Sequence, residues 1–327
     1  MINDIDEEVH GSSVSLFCDD TRIMKAIDDE HDVELLQEDL DRLYYWQKSN
    51  NMLFNCKKFE ILRYGPKEDL KNNTQYFTPE YEDIIEAKES LRDLGIILSS
   101  DGKFKQHVNN VCSKVRRKCG WVLRTFSCRS VPFMKFIWKS LIQPHIDYCP
   151  QLYLPTSQGE MESIENLQKV FTKKIPALDK LNYWERLKKL KMYSQQRRLE
   201  RYRILYAWKI LSNLAPNCGL VEVTSERRGR QLRIPLHKGR PGVKSLRDQS
   251  FQVHGPQLFN CLPLQIRNAK NISLDDFKSK LDKFLETVPD EPNIGDLISR
   301  ASDLHSAKPS NSIIDQVRVG RDGLQGG

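Results

Sequence analysis

Ser15-Leu16-Phe17-Cys18-Asp19-Asp20-Thr21-Arg22-Ile23 is the stretch that decides how this chain is read. Apolar side chains climb through Val14, Leu16 and Phe17, stop at two adjacent carboxylates, and resume at Ile23 and Met24. The pattern predicts a β-hairpin whose tight turn carries Asp19 and Asp20. An Asp pair is ordinary turn chemistry, because its side chain bonds nearby backbone. Two carboxylates side by side are also hard oxygen ligands, of the kind that hold Mg²⁺ together with substrate phosphates. Two such ions, about 3.5–4 Å apart, stabilise the attacking and leaving oxygens of phosphoryl transfer.

Outward from the hairpin, residues 1–8 are acidic and lack the basic-then-apolar layout of a secretory leader. Downstream, Val33, Leu36, Leu40 and Leu43 follow helical spacing, with Asp32 as the expected N-cap. This helix is expected to pack back on the hairpin. Phe59 and Ile61 alternate as a strand ending at Gly65-Pro66, and the basic pair Lys57-Lys58 enters it. Residues 66–83 read as a polar loop. Further strands are expected at 84–85 and 91–98, closed by Ser100-Asp101-Gly102. The first hundred residues therefore predict a mostly antiparallel α/β layer.

From Phe104 to about Leu214 the period turns helical. Helices are expected at 104–126, from Val131-Pro132 to a stop or kink at Pro144 and Pro150, at 160–177, and at 194–213. The second would use Phe133, Phe136, Ile137, Ser140 and Leu141, and the third Met161, Ile164, Leu167, Val170 and Phe171. Residues 215–243 are rich in Gly, Pro and Arg and read as a basic flexible linker. Ser273 is the expected N-cap of a helix carrying Leu274, Phe277, Leu281 and Leu285. The polar composition after about Pro289 predicts disorder.

Charge is polarised along the chain. Residues 1–100 hold 11 Lys+Arg against 23 Asp+Glu, and residues 101–210 hold 23 against 8. A basic block beside an acidic one suggests a polyanion-binding surface next to a metal-binding region. The basic residues assigned to nucleic-acid contact are Lys114, Arg116, Arg117, Lys118, Arg124, Lys173, Lys174, Arg197 and Arg198. The eight cysteines form no CxxC or CxxH pair, so a zinc knuckle is not expected and reduced intracellular thiols are. No run of about 18 apolar residues indicates a membrane span.

The order of short motifs resembles one family. Phe17-Cys18-Asp19-Asp20 is similar to the F/Y-A-D-D box of reverse transcriptases of LINE-type, jockey-like non-LTR retrotransposons, and Ile2-Asn3-Asp4-Ile5 to the segment before it. Leu36-Gln37-Glu38-Asp39-Leu40-Asp41 with Trp46, then Phe54-Asn55-Cys56-Lys57-Lys58, resembles the L-Q-x-D-L-x…W…N-x-x-K run. Leu94-Gly95-Ile96 resembles the primer-grip hairpin, and Pro144-His145-Ile146-Asp147-Tyr148 the segment after it. Ile164-Glu165-Asn166-Leu167-Gln168-Lys169-Val170-Phe171-Thr172, Phe259-Asn260-Cys261-Leu262-Pro263 and Phe277-Lys278-Ser279-Lys280-Leu281-Asp282 match later boxes. Cys18 departs from Ala, Phe259 from Trp, and His145 from a position that is often Leu.

The resemblance spans residues 2 to about 292 and implies an α+β chain. Residues 1–102 would be the C-terminal half of a right-hand polymerase palm, antiparallel hairpins plus a helix. Residues 103–214 would be an all-α thumb-like bundle, 215–243 a linker, 244–290 a small helical region, and 291–327 a disordered tail. It implies RNA-directed DNA synthesis with Mg²⁺ on Asp19 and Asp20. Lys57 or Lys58 would lie near the leaving pyrophosphate, and Gly95 counts with the substrate-binding residues through the primer grip. The implied partners are an RNA template, a DNA primer or duplex and dNTP, in the nucleus and cytoplasm and away from membranes. No counterpart of the fingers, the first catalytic palm strand, the template-contacting Gln-Gly or an N-terminal endonuclease lies in the matched stretch. The expectation is a fragment that binds Mg²⁺ weakly and does not polymerise alone. The alternative is a non-enzymatic RNA- or DNA-binding protein using the basic helical domain.

Overall fold

A computed structural model describes residues 2–65, 73–78, 83–153, 155, 157–227, 229–236, 246–248, 250–292 and 310–324. It is a mixed α+β chain that divides into two compact units, Met1–Lys103 and Phe104–Gly327.

The first unit opens with a 3-10 turn, Ile2–Glu8, and then the hairpin of β1 (Ser13–Phe17) and β2 (Asp20–Met24). Phe17 pairs with Asp20, so the turn is Cys18-Asp19 and Asp20 already belongs to the strand. The hairpin is apolar on one face, where Leu16 and Ile23 pack against Ile5, Leu43 and Trp46. Leu43 and Trp46 come from α1 (Glu30–Ser49), so the helix does cover the hairpin. Its N-cap is Asp29 and not Asp32. The Asp29 carboxylate accepts the Asp32 N–H at 3.0 Å, while Asp32 reaches back to the Asp28 N–H at 2.9 Å and Lys25 at 3.1 Å. Polar Glu30 and His31 hid that first turn from an apolar count.

α1 also buries a charge. Asp39 is wholly buried and accepts from the His10 and Gly11 N–H groups at 3.0 and 3.1 Å and from Arg42 at 2.7 Å. These bonds hold the backbone that feeds β1. β3 (Glu60–Leu62) pairs in parallel with β4 (Glu86–Lys88), a parallel pair in the mostly antiparallel set that the sequence predicts. β5 (Ser90–Asp93) and β6 (Ile96–Ser99) form an antiparallel hairpin across Leu94-Gly95. Both turn residues have positive φ, 44° and 88°, the signature of a type I′ turn. The Asp101-Gly102 turn follows β6 and leads into the next helix rather than joining two strands. Of the expected loop 66–83, residues 66–72 and 79–82 lie outside the described residues.

In the second unit, α2 (Lys105–Thr125) precedes a helical rod made of α3 (Val131–Ile137), a π turn (Trp138–Ile142) and α4 (Gln143–Ile146). Pro144 has no N–H to continue the ladder, and the Gln143 N–H bonds five residues back to the Trp138 carbonyl. The wider turn shifts the buried face to Met134, Ile137, Trp138, Ile142 and Ile146. Phe136, Ser140 and Leu141, expected inside, are exposed. α5 (Gln158–Thr172) starts at a Ser157–Glu160 capping box, and α6 (Tyr183–Leu190) at an Asn182–Glu185 box. α7 (Gln195–Leu211) follows.

The stretch expected as a linker contains a paired hairpin, β7 (Glu222–Ser225) and β8 (Gly229–Leu232). Arg230 is buried there and bonded to Glu222 at 2.7 Å. Gly229 has φ 62°, and a Cβ on it would lie 2.7 Å from the Asn268 amide oxygen. Arg228 and residues 237–243 lie outside the described residues.

α8 (Phe251–Asn260), α9 (Leu264–Arg267) and α10 (Leu274–Thr287) join α7 in one core around Trp208, Phe259, Phe277 and Leu281. Trp208 and Phe277 stack with centroids 4.5 Å apart. Among the described residues this core draws on both 103–214 and 244–290. Ser273 caps α10 at 3.0 Å. In the expected tail, α11 (Ile313–Leu324) seats Ile313 and Ile314 in the same core, while 293–309 lie outside the described residues. No helix among the described residues is long and apolar enough to cross a membrane, and all eight cysteines are free.

Candidate metal and nucleic-acid sites

Asp19 and Asp20 are exposed at the β1–β2 tip. Among the described residues neither carboxylate forms a hydrogen bond or ion pair. Cys18, at the first turn position, has φ 55°. This backbone conformation suits glycine, and it lets two residues reverse the chain and carry both carboxylates into solvent. Two residues beyond Asp20, Arg22 is ion-paired with Asp93 at the end of β5, so the two hairpins are tied together. Tyr64 shares this neighbourhood. Partial burial raises its phenol above the ordinary value, against the Arg22 charge.

Two exposed carboxylates fit a hydrated Mg²⁺, which keeps several waters and needs only one or two protein carboxylates beside substrate phosphates. They do not make a closed site. Among the described residues no group of three or more His, Cys, Asp or Glu is placed to hold a metal. Lys57 and Lys58 lie exposed in a short 3-10 turn, Cys56–Lys58, before β3. Gly95 sits in the β5–β6 turn.

In the second unit, Arg116, Arg117, Lys118 and Arg124 are exposed on α2, and Lys114 is half-buried beside them. Lys173 and Lys174 are exposed just past α5. Among the described residues none of these seven forms an ion pair. Arg197 and Arg198 do not belong to this set. Arg197 is wholly buried, and its guanidinium donates to the Leu285 and Val288 carbonyls at 3.0 and 2.8 Å and to the Pro289 carbonyl. Arg198 makes a fork on Asp147, at 2.9 and 2.6 Å. Both tie helices together: Arg197 is sealed in the core, and the Nε–Nη2 edge of Arg198 is spent on Asp147.

The cationic surface is wider than the sequence suggested. Burial, then the charges of Lys118 and Lys114, hold His145 below its ordinary value. Burial, then Lys139 and Lys191, do the same to Lys135. Lys135 and Lys139 are one turn apart on the rod, a signal available in the sequence. The approach of Lys191, from the end of α6, is tertiary. Trp121, about half exposed, lies one turn from Arg117, Lys118 and Arg124 on α2, so the charged face carries an aromatic side chain.

Searches of protein-family models, curated proteins and solved structures find no match to this chain.

Proposed function

We propose that this chain is part of a non-LTR-type reverse transcriptase, an RNA-directed DNA polymerase. In this reading Asp19 and Asp20 hold Mg²⁺ at the palm tip. One of Lys57 and Lys58 meets the nucleotide phosphates, Gly95 lies in the primer grip, and the helical unit acts as the thumb. The observation that carries the reading is the hairpin tip: adjacent carboxylates, unpartnered among the described residues, raised on a two-residue turn. The ordered motifs around it supply the family. When bound, Mg²⁺ would neutralise charge on the transferring phosphoryl group. The chain's own part is to present two oxygen donors and to align template and primer. A two-metal site needs more carboxylate support than this pair gives, so the isolated chain binds the ion weakly and does not extend a primer.

Mn²⁺ titration followed by water-proton relaxation tests the assignment. Wild type should show weak binding that Asp19→Asn/Asp20→Asn removes, and unchanged binding in that variant would refute it. Robust Mg²⁺-dependent primer extension on RNA by the purified chain would overturn the statement that it is inactive alone.

A second reading, nucleic-acid binding without polymerisation, is favoured by the crowding of cations on α2 and the rod. Like charges held close together cost stability unless a polyanion sits over them. Each neutralised phosphate releases counterions, so the log–log salt slope of binding falls by about 0.9 for each phosphate that is no longer neutralised. Lys114→Glu/Lys118→Glu should lower duplex affinity and flatten that slope by about 2. A slope that does not change would remove these two lysines from the interface.

A further inference from the structure

Between α5 and α6 lies an open cleft of about 580 Å³, within the size range of small-molecule sites. Its floor is rigid. Arg186 is buried, and its guanidinium donates to Thr172 Oγ1 at 3.1 Å, the Lys169 carbonyl at 3.1 Å and the Leu181 carbonyl at 2.7 Å. Val170, which leaves half its surface in solvent, and Trp184, half-buried on the first turn of α6 with Tyr183 on one side at 5.0 Å between ring centroids, give it apolar surface among its polar residues. Along one edge Lys169 and Lys173, one helical turn apart, are exposed and unpaired among the described residues. Asp179 lines the cleft as well. The Asn182 amide oxygen is taken by the Glu185 N–H at 2.9 Å, which leaves its NH₂ group able to donate.

We propose that this cleft binds one unpaired nucleotide of a single-stranded nucleic acid. The base lies flat against Trp184 and Val170, and its phosphate sits on Lys169 and Lys173. The arrangement gives the ligand a polarity. Asp179 repels phosphate and accepts from N–H and O–H donors, which bases and sugars carry, so the phosphate is left to the lysine edge. Stacking on an aromatic face tolerates any base, but a paired base inside a duplex has no free face to offer. The cleft therefore prefers single strands. This inference rests on the reading that the second unit meets nucleic acid, and it adds a site distinct from the α2 surface.

Fluorescence anisotropy with labelled ten-nucleotide single strands and a duplex of the same length tests it on the full chain. Trp184→Ala should weaken single-strand binding roughly tenfold and leave duplex binding unchanged, since stacking on one aromatic ring is typically of that order. Trp184→Phe should keep most of the affinity. Lys169→Glu/Lys173→Glu, both on the surface, should weaken single-strand binding without altering the melting curve. If neither Trp184→Ala nor the double lysine variant changes single-strand affinity, the proposal is overturned. Equal losses on both substrates in all of these variants would overturn it too. Lys114→Glu/Lys118→Glu separates the two readings. If that variant leaves duplex binding intact while the cleft variants still abolish single-strand preference, the α2 surface fails and the cleft stands.

Discussion

At the β1–β2 tip two carboxylates stand in solvent. At the start of α7 two others, Glu165 and Asp290, are drawn in among donors. Glu165 accepts the Gln195 N–H at 2.9 Å, the Gln196 N–H at 3.3 Å and the Tyr183 hydroxyl. Asp290 accepts the Ser194 N–H at 2.8 Å and its hydroxyl at 2.6 Å, and lies 3.6 Å from Arg197. Glu200, one turn on, accepts the Ile313 N–H at 2.7 Å and so seats α11. Desolvation pushes Glu165 up to about 7 and raises Asp290. Perturbed titration marks active sites and structural networks alike. Here the acids with the displaced protons have every oxygen employed in holding α5, α7, α10 and the C-terminal segment together. The hairpin acids hold nothing, and that leaves them free for a ligand.

The largest expected effect comes from breaking the α7 network. Arg197→Ala removes three carbonyl bonds at the end of α10 and the cation beside Asp290. Losing one partner of a buried charge network costs about 3–5 kcal/mol. Thermal or urea unfolding should show a loss of this size, while Asp19→Asn/Asp20→Asn should stay within about 0.5 kcal/mol of wild type. Equal losses in the two variants would erase the contrast between a structural cluster and a free site.

The next effect is in pH. Glu165 has a folded-state value of about 7 against an ordinary 4.5. Between these values the folded chain keeps a proton that the unfolded chain has released. Stability from this group is thus fully present below about 4.5 and is lost as pH rises towards 7. The span corresponds to at most ~3 kcal/mol. His254 runs the other way. Burial, then Arg203, lowers it to about 3, so its contribution grows as pH climbs from there to its ordinary 6.5. Glu165→Gln isolates the first trend. Its unfolding free energy should match wild type near pH 4 and exceed it near pH 8. A constant offset between the two would mean that Glu165 is ionised throughout.

The same contrast explains what was legible in the sequence. The hairpin announced itself because alternation at Val14, Leu16 and Ile23 is local, and so is the carboxylate pair that interrupts it. Ser273 announced α10 for the same reason. The places of Arg197 and Arg198 are not legible locally, because a guanidinium looks alike on a surface or in a core, and only the distant carbonyls of Leu285, Val288 and Pro289 and the distant carboxylate of Asp147 decide. α6 left a usable signal in its Asn182–Glu185 capping box, followed by Leu187 and Leu190. α8 carries Gly255 and Pro256, which argue against a helix locally; its burial among α7 neighbours overrides them. The β7–β8 hairpin hid in a composition rich in Gly and Arg, because Arg230 is satisfied by Glu222 and the Leu211 carbonyl rather than by water.

Cys18 gives the finest test of the hairpin as a built feature. Its φ of 55° is the left-handed region, which costs an L-residue with a Cβ about 1–2 kcal/mol. Glycine would remove that penalty but lose about 0.5–1 kcal/mol to unfolded-chain entropy. The balance favours Cys18→Gly by about 0.5 kcal/mol, read in the unfolding of the first unit, while a β-branched Cys18→Val should destabilise. Neither change touches a carboxylate, so Cys18→Gly should also leave Mn²⁺ binding at the tip unaltered. A glycine variant that binds Mn²⁺ more weakly would show that the cysteine side chain itself positions the acids. A glycine variant that melts lower would show that the turn is not held at positive φ in solution, and the two carboxylates would then lose the fixed two-residue reversal that presents them together.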